Sequence, residues 1–237
     1  MNIDKLQELI DHANKIVFFG GAGVSTESGL RDFRGKDGLY NETHFDQTPE
    51  ILLSIDYFLN NTENFYKYYK MMFLNEDVKP NYAHKYLAKL EESGKNITII
   101  TQNIDNLHQL AGSKNVVELH GSIYRNYSMK TKERFNGLDH LKTDKLVPLN
   151  SKGEIIRPDV VLYGEQLDGN VISNAINALA NADLLIVAGT SLTVYPAANL
   201  INYFNGNNIV AINRDPLNVK NFIQGDVGAT FKKLRRI

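Results

Sequence analysis

Short segments of this chain carry residue types that can do chemistry. Gly21-Ala22-Gly23-Val24-Ser25-Thr26 follows an apolar run and opens an expected helix, a setting in which small residues let backbone N–H groups approach a pyrophosphate. Thr26 stands where a third glycine of the dinucleotide pattern would be, and no acidic residue closes a second strand about 20 residues on to hold a ribose. A tight turn without a ligand therefore accounts for this segment about as well. His120 sits between an expected strand over 116–119 and Gly121. Its imidazole titrates near neutral pH and could act as a general base, although a lone histidine more often caps or packs. Gln102-Asn103-Ile104-Asp105 follows another apolar run and reads either as ligand contacts or as an Asx-rich turn. His108, one helical turn past Asp105, is expected to pack or cap.

The elements that must position these groups alternate along the chain. Ile3, Leu6, Leu9, Ile10 and Ala13 share one helical face, and 82–90 and 171–180 also have helical spacing. The runs 16–19, 97–100, 184–188 and 209–212 read as short buried strands. Strands alternating with helices imply an α/β fold, a doubly wound and mostly parallel Rossmann-like sheet. Its ligand belongs at the carboxyl ends of the strands, where the small and polar residues fall: Gly20 to Gly23, Thr101 to Asn103, Gly189 to Ser191, and Asn213. Two stretches break the alternation, an aromatic one over 40–73 and a polar, basic one over 124–158. The expected organisation is one catalytic domain with a large lobe (1–39, 96–121, 158–237) and a small lobe made of two insertions (40–95, 122–157).

Composition excludes several classes. At 237 residues, one elaborated domain or a large and a small one are plausible. The net charge of −1 gives no footprint for nucleic acid or an anionic membrane, so neither is an expected partner. Zero Cys excludes disulfides, thiolate-bound zinc, iron–sulfur ligation and a cysteine nucleophile. The segment MNIDKLQELIDHANK has no apolar signal-like core, and no run approaches a membrane span, so a cytoplasmic location is expected.

Six motifs in order resemble the sirtuins, NAD-dependent protein lysine deacylases: GAGVSTESGLRDFRG (21–35), TQNIDNLH (101–108), ELHGS (118–122), IRPDVVLYGEQL (156–167), GTSLTVYPAANL (189–200) and AINRDP (211–216). The resemblance implies NAD as cofactor and an acylated-lysine protein or peptide as substrate. The acyl oxygen attacks the nicotinamide-bearing ribose carbon, nicotinamide leaves, and a base then activates a ribose hydroxyl against the alkylimidate. It implies His120 as that base, Gln102 and Asn103 on the ribose (Asn103 also on an ordered water), and the Ile104 N–H with the Asp105 carboxylate on the carboxamide. Gly21, Ala22, Gly23 and Thr26 fall to the pyrophosphate side. Asp32-Phe33-Arg34 falls to a mobile cofactor loop, and Gly189, Thr190, Ser191, Asn213, Asp226 and Val227 to the adenosine half. Val160, Val161, Leu162, Tyr163 and Gly164 with Val194 resemble the two edges between which the peptide adds as a strand. Where relatives that favour acidic acyl groups carry Tyr-x-x-Arg, this chain has Tyr66-x-x-Tyr69, implying an uncharged acyl group.

The chain leaves the pattern in two places. Leu30-Arg31 replaces Ile-Pro ahead of Asp32. The two Cys-x-x-Cys pairs of a structural zinc site fall here at Ser128 and Thr131 and at about Leu149 and Lys152, so no zinc is expected. The small lobe must then hold by β-pairing around Leu146, Val147, Ile155 and Ile156, or stay mobile. A protein ADP-ribosyltransferase or NAD hydrolase, and a non-catalytic NAD-binding module, stay open as alternatives.

Overall fold

The apolar runs become strands where the pattern places them. In a computed structural model that describes residues 1–32, 46–74 and 78–235, β1 (Lys15–Gly20), β2 (Asn96–Thr101) and β3 (Val116–Glu118) build one half of a sheet. The strands β7 (Leu184–Ala188), β8 (Asn208–Asn213) and β9 (Phe222–Gln224) build the other. The order is β3-β2-β1-β7-β8-β9, and every pairing is parallel. Winding reverses between β1 and β7, which opens a crevice at their carboxyl ends. Every residue of β7 and all but the first of β1 are buried, as expected of strands covered on both faces.

Helices cover the two faces. The amphipathic α1 (Ile3–His12), α5 (Tyr82–Glu92) and the short α8 (Val227–Phe231) bury Leu6, Ile10, Leu87, Leu90 and Phe231 against Ile16, Phe18 and Ile99. On the other face α7 (Gly169–Ala180) buries Ala175 and Leu179 against Val17, Phe19, Leu185 and Val187. Asp168 caps α7 by accepting from the Asn170 and Val171 N–H groups.

The small lobe is a third core. The helices α2 (Pro49–Leu52), α3 (Ile55–Asn60) and α4 (Thr62–Phe73) pack Leu52, Phe58, Phe65 and three buried tyrosines. They lie on an antiparallel sheet of β4 (Gly121–Ser128), β5 (Arg134–Asn136) and β6 (Ile156–Val160), in the order β5-β4-β6. This corrects three expectations. The apolar face of α5 belongs to the large core, so 82–92 is not part of the small lobe. The seams drawn at 121/122 and 157/158 fall inside β4 and β6, which pair with each other. Of the residues expected to hold the lobe by β-pairing, Ile156 pairs with Ser128 and Ile155 bridges Leu149. Leu146 is exposed outside any strand, and Val147 packs from a loop. Among the described residues no helix is long and apolar enough to cross a membrane.

Candidate active site

The glycine turn does not open an α-helix. After Gly21 the backbone makes two single 3-10 turns, Ala22–Val24 and Thr26–Ser28, and leaves through Gly29 at φ +93°. An anion would meet the N–H groups of a tight turn rather than a helix end. Close packing explains the glycines. A Cβ on Gly23 would lie 2.8 Å from the Gly189 Cα, and one on Gly189, at φ +59°, would lie 2.4 Å from the Val24 nitrogen. The ends of β1 and β7 can approach only without side chains.

Around that contact lies one cavity of about 1230 Å³. Of the expected cofactor residues, Gly21, Ala22, Gly23, Thr26, Asp32, Gln102, Asn103, Ile104, Asp105, His120, Gly189, Thr190, Ser191, Asn213, Asp226 and Val227 all line it. Phe33 and Arg34 lie outside the described residues. Val160, Val161, Leu162, Tyr163, Gly164 and Val194 line it as well. The expected strand edges need correction, because β6 ends at Val160 and neither 161–165 nor 192–195 is a strand. Tyr163 bridges Ser54 instead, and its N–H donates to the Leu53 carbonyl.

His120 is held from both sides. Its backbone carbonyl accepts from the Val161 N–H at 2.9 Å, and its Nδ1 lies 2.8 Å from the Gln102 carbonyl oxygen. A carbonyl only accepts, so Nδ1 carries the proton and Nε2 keeps the lone pair. Burial pushes the imidazole below its ordinary value, and the bond to Gln102 partly opposes this. The ring is therefore neutral at pH 7 and ready to take a proton. Gly121 follows at φ +77°, where a Cβ would lie 2.0 Å from the Asp159 carbonyl oxygen.

A hydrogen-bonded chain organises the neighbouring loop. The Ser25 hydroxyl donates to Asp105 Oδ2 at 2.6 Å, and Asn103 Nδ2 donates to Ser25 Oγ and to the Gly21 carbonyl, both at 3.1 Å. Asp105 Oδ1 accepts from the Leu107 N–H, and Gln102 Nε2 donates to Thr190 Oγ1. Burial raises the Asp105 carboxyl, while the Ser25 and Leu107 donors pull it back. Ser25, 2% exposed, is a residue the sequence reading passed over; its position two residues after Gly23 was the available signal. Arg214 and the apolar residues Leu53, Met72, Phe73 and Leu138, which also line the cavity, carried none.

Tyr66 and Tyr69 separate. Tyr69 lines the cavity on its small-lobe side, and burial holds its phenol protonated. Tyr66 is not among the lining residues: its hydroxyl donates to the Ile156 carbonyl inside the small-lobe core. Only Tyr69 is placed to meet a ligand. His108 packs, as expected, fully buried against the ring of His84 at 4.6 Å between centroids.

Known proteins are similar to this chain over most of its length. A family model described as the Sir2 family matches residues 21–196. An NAD-dependent protein deacetylase of Clostridium perfringens is 55% identical over 215 residues, covering 90% of this chain and 88% of that protein. One from Clostridium acetobutylicum is 52% identical over 214 residues, covering 90% and 87%. A solved structure of Sir2 with a p53 peptide and NAD+ superposes with a TM-score of 0.86 at 36% identity, covering 98% of this chain and 97% of that one.

Proposed function

The chain belongs to the Sir2 family, and on that premise we infer that it is an NAD-dependent protein deacetylase in which His120 is the general base and Asn103 its catalytic neighbour. The observation that carries the assignment is the bond from His120 Nδ1 to the Gln102 carbonyl, which leaves Nε2 unprotonated and ties the histidine, between β3 and β4, to the loop after β2 that presents Asn103 and Asp105.

The residues present fit NAD. The crevice at the switch between β1 and β7 is lined by small residues and hydroxyls together with amides, a carboxylate and a neutral imidazole. Bound there, NAD supplies the ADP-ribosyl group that accepts the acyl group as nicotinamide departs. Gly21, Ala22, Gly23 and Thr26 would take the pyrophosphate, and Gly189, Thr190, Ser191, Asn213, Asp226 and Val227 the adenosine half. Ser25 holds the Asp105 carboxylate and the Asn103 amide in register, so that Asp105 and the Ile104 N–H meet the carboxamide. His120 Nε2 accepts the proton of a ribose hydroxyl. Residues of both lobes line the cavity, and we take the two lobes as one catalytic domain.

The substrate is a peptide or protein carrying acetyl-lysine. Val160 to Gly164 and Val194 border the cavity from two sides, a place for an extended peptide to be held by its backbone. Tyr69 is uncharged where a cation would be needed for an acidic acyl group, which supports acetyl or another uncharged acyl group. Incubation with NAD and an acetyl-lysine peptide releases nicotinamide and O-acetyl-ADP-ribose, and His120→Ala abolishes O-acetyl-ADP-ribose formation and with it sustained turnover. Transfer of ADP-ribose to protein without an acylated peptide would replace this reading.

A further inference from the structure

The resembled family pattern places a structural zinc in the small lobe, and the residues of this chain do not fit that ion. At the four positions stand a buried serine, an exposed threonine, a leucine and an exposed lysine, Ser128, Thr131, Leu149 and Lys152. Two hydroxyls, an aliphatic chain and an ammonium are not zinc donors. Among the described residues no group of three or more His, Asp or Glu could hold a metal ion.

What occupies the same place is a carboxylate. Glu154 Oε2 accepts from the Ser128 hydroxyl at 2.5 Å, the Thr131 hydroxyl at 3.0 Å and the Asn150 side-chain amide at 2.9 Å. Each of the two loops it joins is already wound on itself. In the first, Ser128 Oγ accepts from the Thr131 N–H, and the Ser128 carbonyl from the Lys132 N–H. In the second, Asn150 Oδ1 accepts from the Lys152 and Glu154 N–H groups, with Gly153 at φ +76° making the turn. Met129 of the first loop and Ile155 of the second pack partly buried against the small-lobe core, and at the outer ends of the two loops a shared ionised acceptor ties them to each other. Hydrogen bonds to a charged group are about twice as strong as neutral ones.

We propose that Glu154 closes the small lobe of this chain in place of a metal ion. Its carboxylate fixes the end of β4 against the start of β6, where Met129 N–H donates to the Ile155 carbonyl and Ser128 pairs with Ile156. β6 then runs to Val160 at the cavity, so Glu154 sets the small-lobe wall of the site from its far end. The comparison with a zinc module rests on family membership. The claim itself concerns folding, so failure of the deacetylase reading would leave it standing.

The test uses the intact 237-residue chain, purified without chelator. Expected are substoichiometric zinc by elemental analysis and a Tm that neither a chelator nor added zinc shifts. Glu154→Ala lowers Tm by roughly 2–6 °C. Its amide exchange over 128–134 and 150–156 rises by about tenfold or more, with β1, β2 and β7 unchanged. Glu154→Gln, which keeps an acceptor oxygen without the charge, gives intermediate exchange, and it decides the matter if the alanine variant does not fold. One zinc per chain whose removal lowers Tm would overturn the proposal, as would wild-type exchange in both loops of Glu154→Gln and any folded Glu154→Ala.

Discussion

The chemistry rests on a neutral histidine whose tautomer is set by a backbone carbonyl. Because burial lowers the His120 pKa, its lone pair is available throughout the neutral range and is lost only on acidification. The acid limb of kcat/KM with saturating NAD should therefore lie below pH 6.5, the ordinary histidine value. A limb above pH 7 would contradict the assignment. Ser25 makes a second residue-scale prediction. Ser25→Ala leaves Asp105 without its hydroxyl donor and the Asn103 amide with only the Gly21 carbonyl to donate to. The KM for NAD should rise about tenfold or more, because a hydrogen bond to a charged group is worth roughly 1.5–3 kcal/mol. Steady-state kinetics with unchanged KM would remove Ser25 from this role. At this scale the site was legible mainly through motif order, since His120 alone could not be told from a packing histidine. Ser25 was missed because a serine inside a glycine turn looks like part of the turn.

At the scale of elements, two packings decide the outcome. The rings of His84 on α5 and His108 in the short helix α6 (Leu107–Leu110) meet inside the large core. Burial lowers both, His84 to about 4 and His108 well below its usual value. Since the folded values lie below the unfolded one, the unfolded chain binds more protons as pH falls below about 6.5. The stability present above that pH is then lost toward pH 4, by up to about 1.4 kcal/mol per pH unit for each histidine. Urea unfolding at pH 7 and pH 5 should show this loss, and equal stabilities at the two values would contradict it. Gly189 is the second case. With its φ of +59° and no room for a Cβ against Val24, Gly189→Ala should destabilise the fold by on the order of 2–4 kcal/mol and weaken NAD binding. A thermal scan within 1 °C of wild type, about the resolution of a small ΔΔG for a chain of this size, would refute that. Strands and long helices were legible because their periodicity is strong. The 3-10 turns after Gly21 are not legible in the sequence, because small polar residues give no signal of where a helix fails to propagate.

For the whole molecule, the parallel sheet and the position of the crevice followed from the alternation of elements, and the order β3-β2-β1-β7-β8-β9 places the switch where the glycines lie. The division into lobes was only half legible. Residues 82–92 have a helical face but nothing in the sequence says which core it covers, and the antiparallel pairing of β4 with β6 joins segments too far apart for local pattern to reveal. The absence of cysteine was visible at once, whereas the carboxylate of Glu154 standing between two loops appeared only in three dimensions. The central claim is that this fold brings NAD and an acetyl-lysine peptide together at His120. The most direct measurement is the steady-state rate of nicotinamide release over many turnovers by the wild-type chain and by His120→Ala, with and without an acetyl-lysine peptide. The account predicts release that requires the peptide and falls by a factor of about 100 or more in the variant. Release independent of the peptide, or equal in the two proteins, would contradict it.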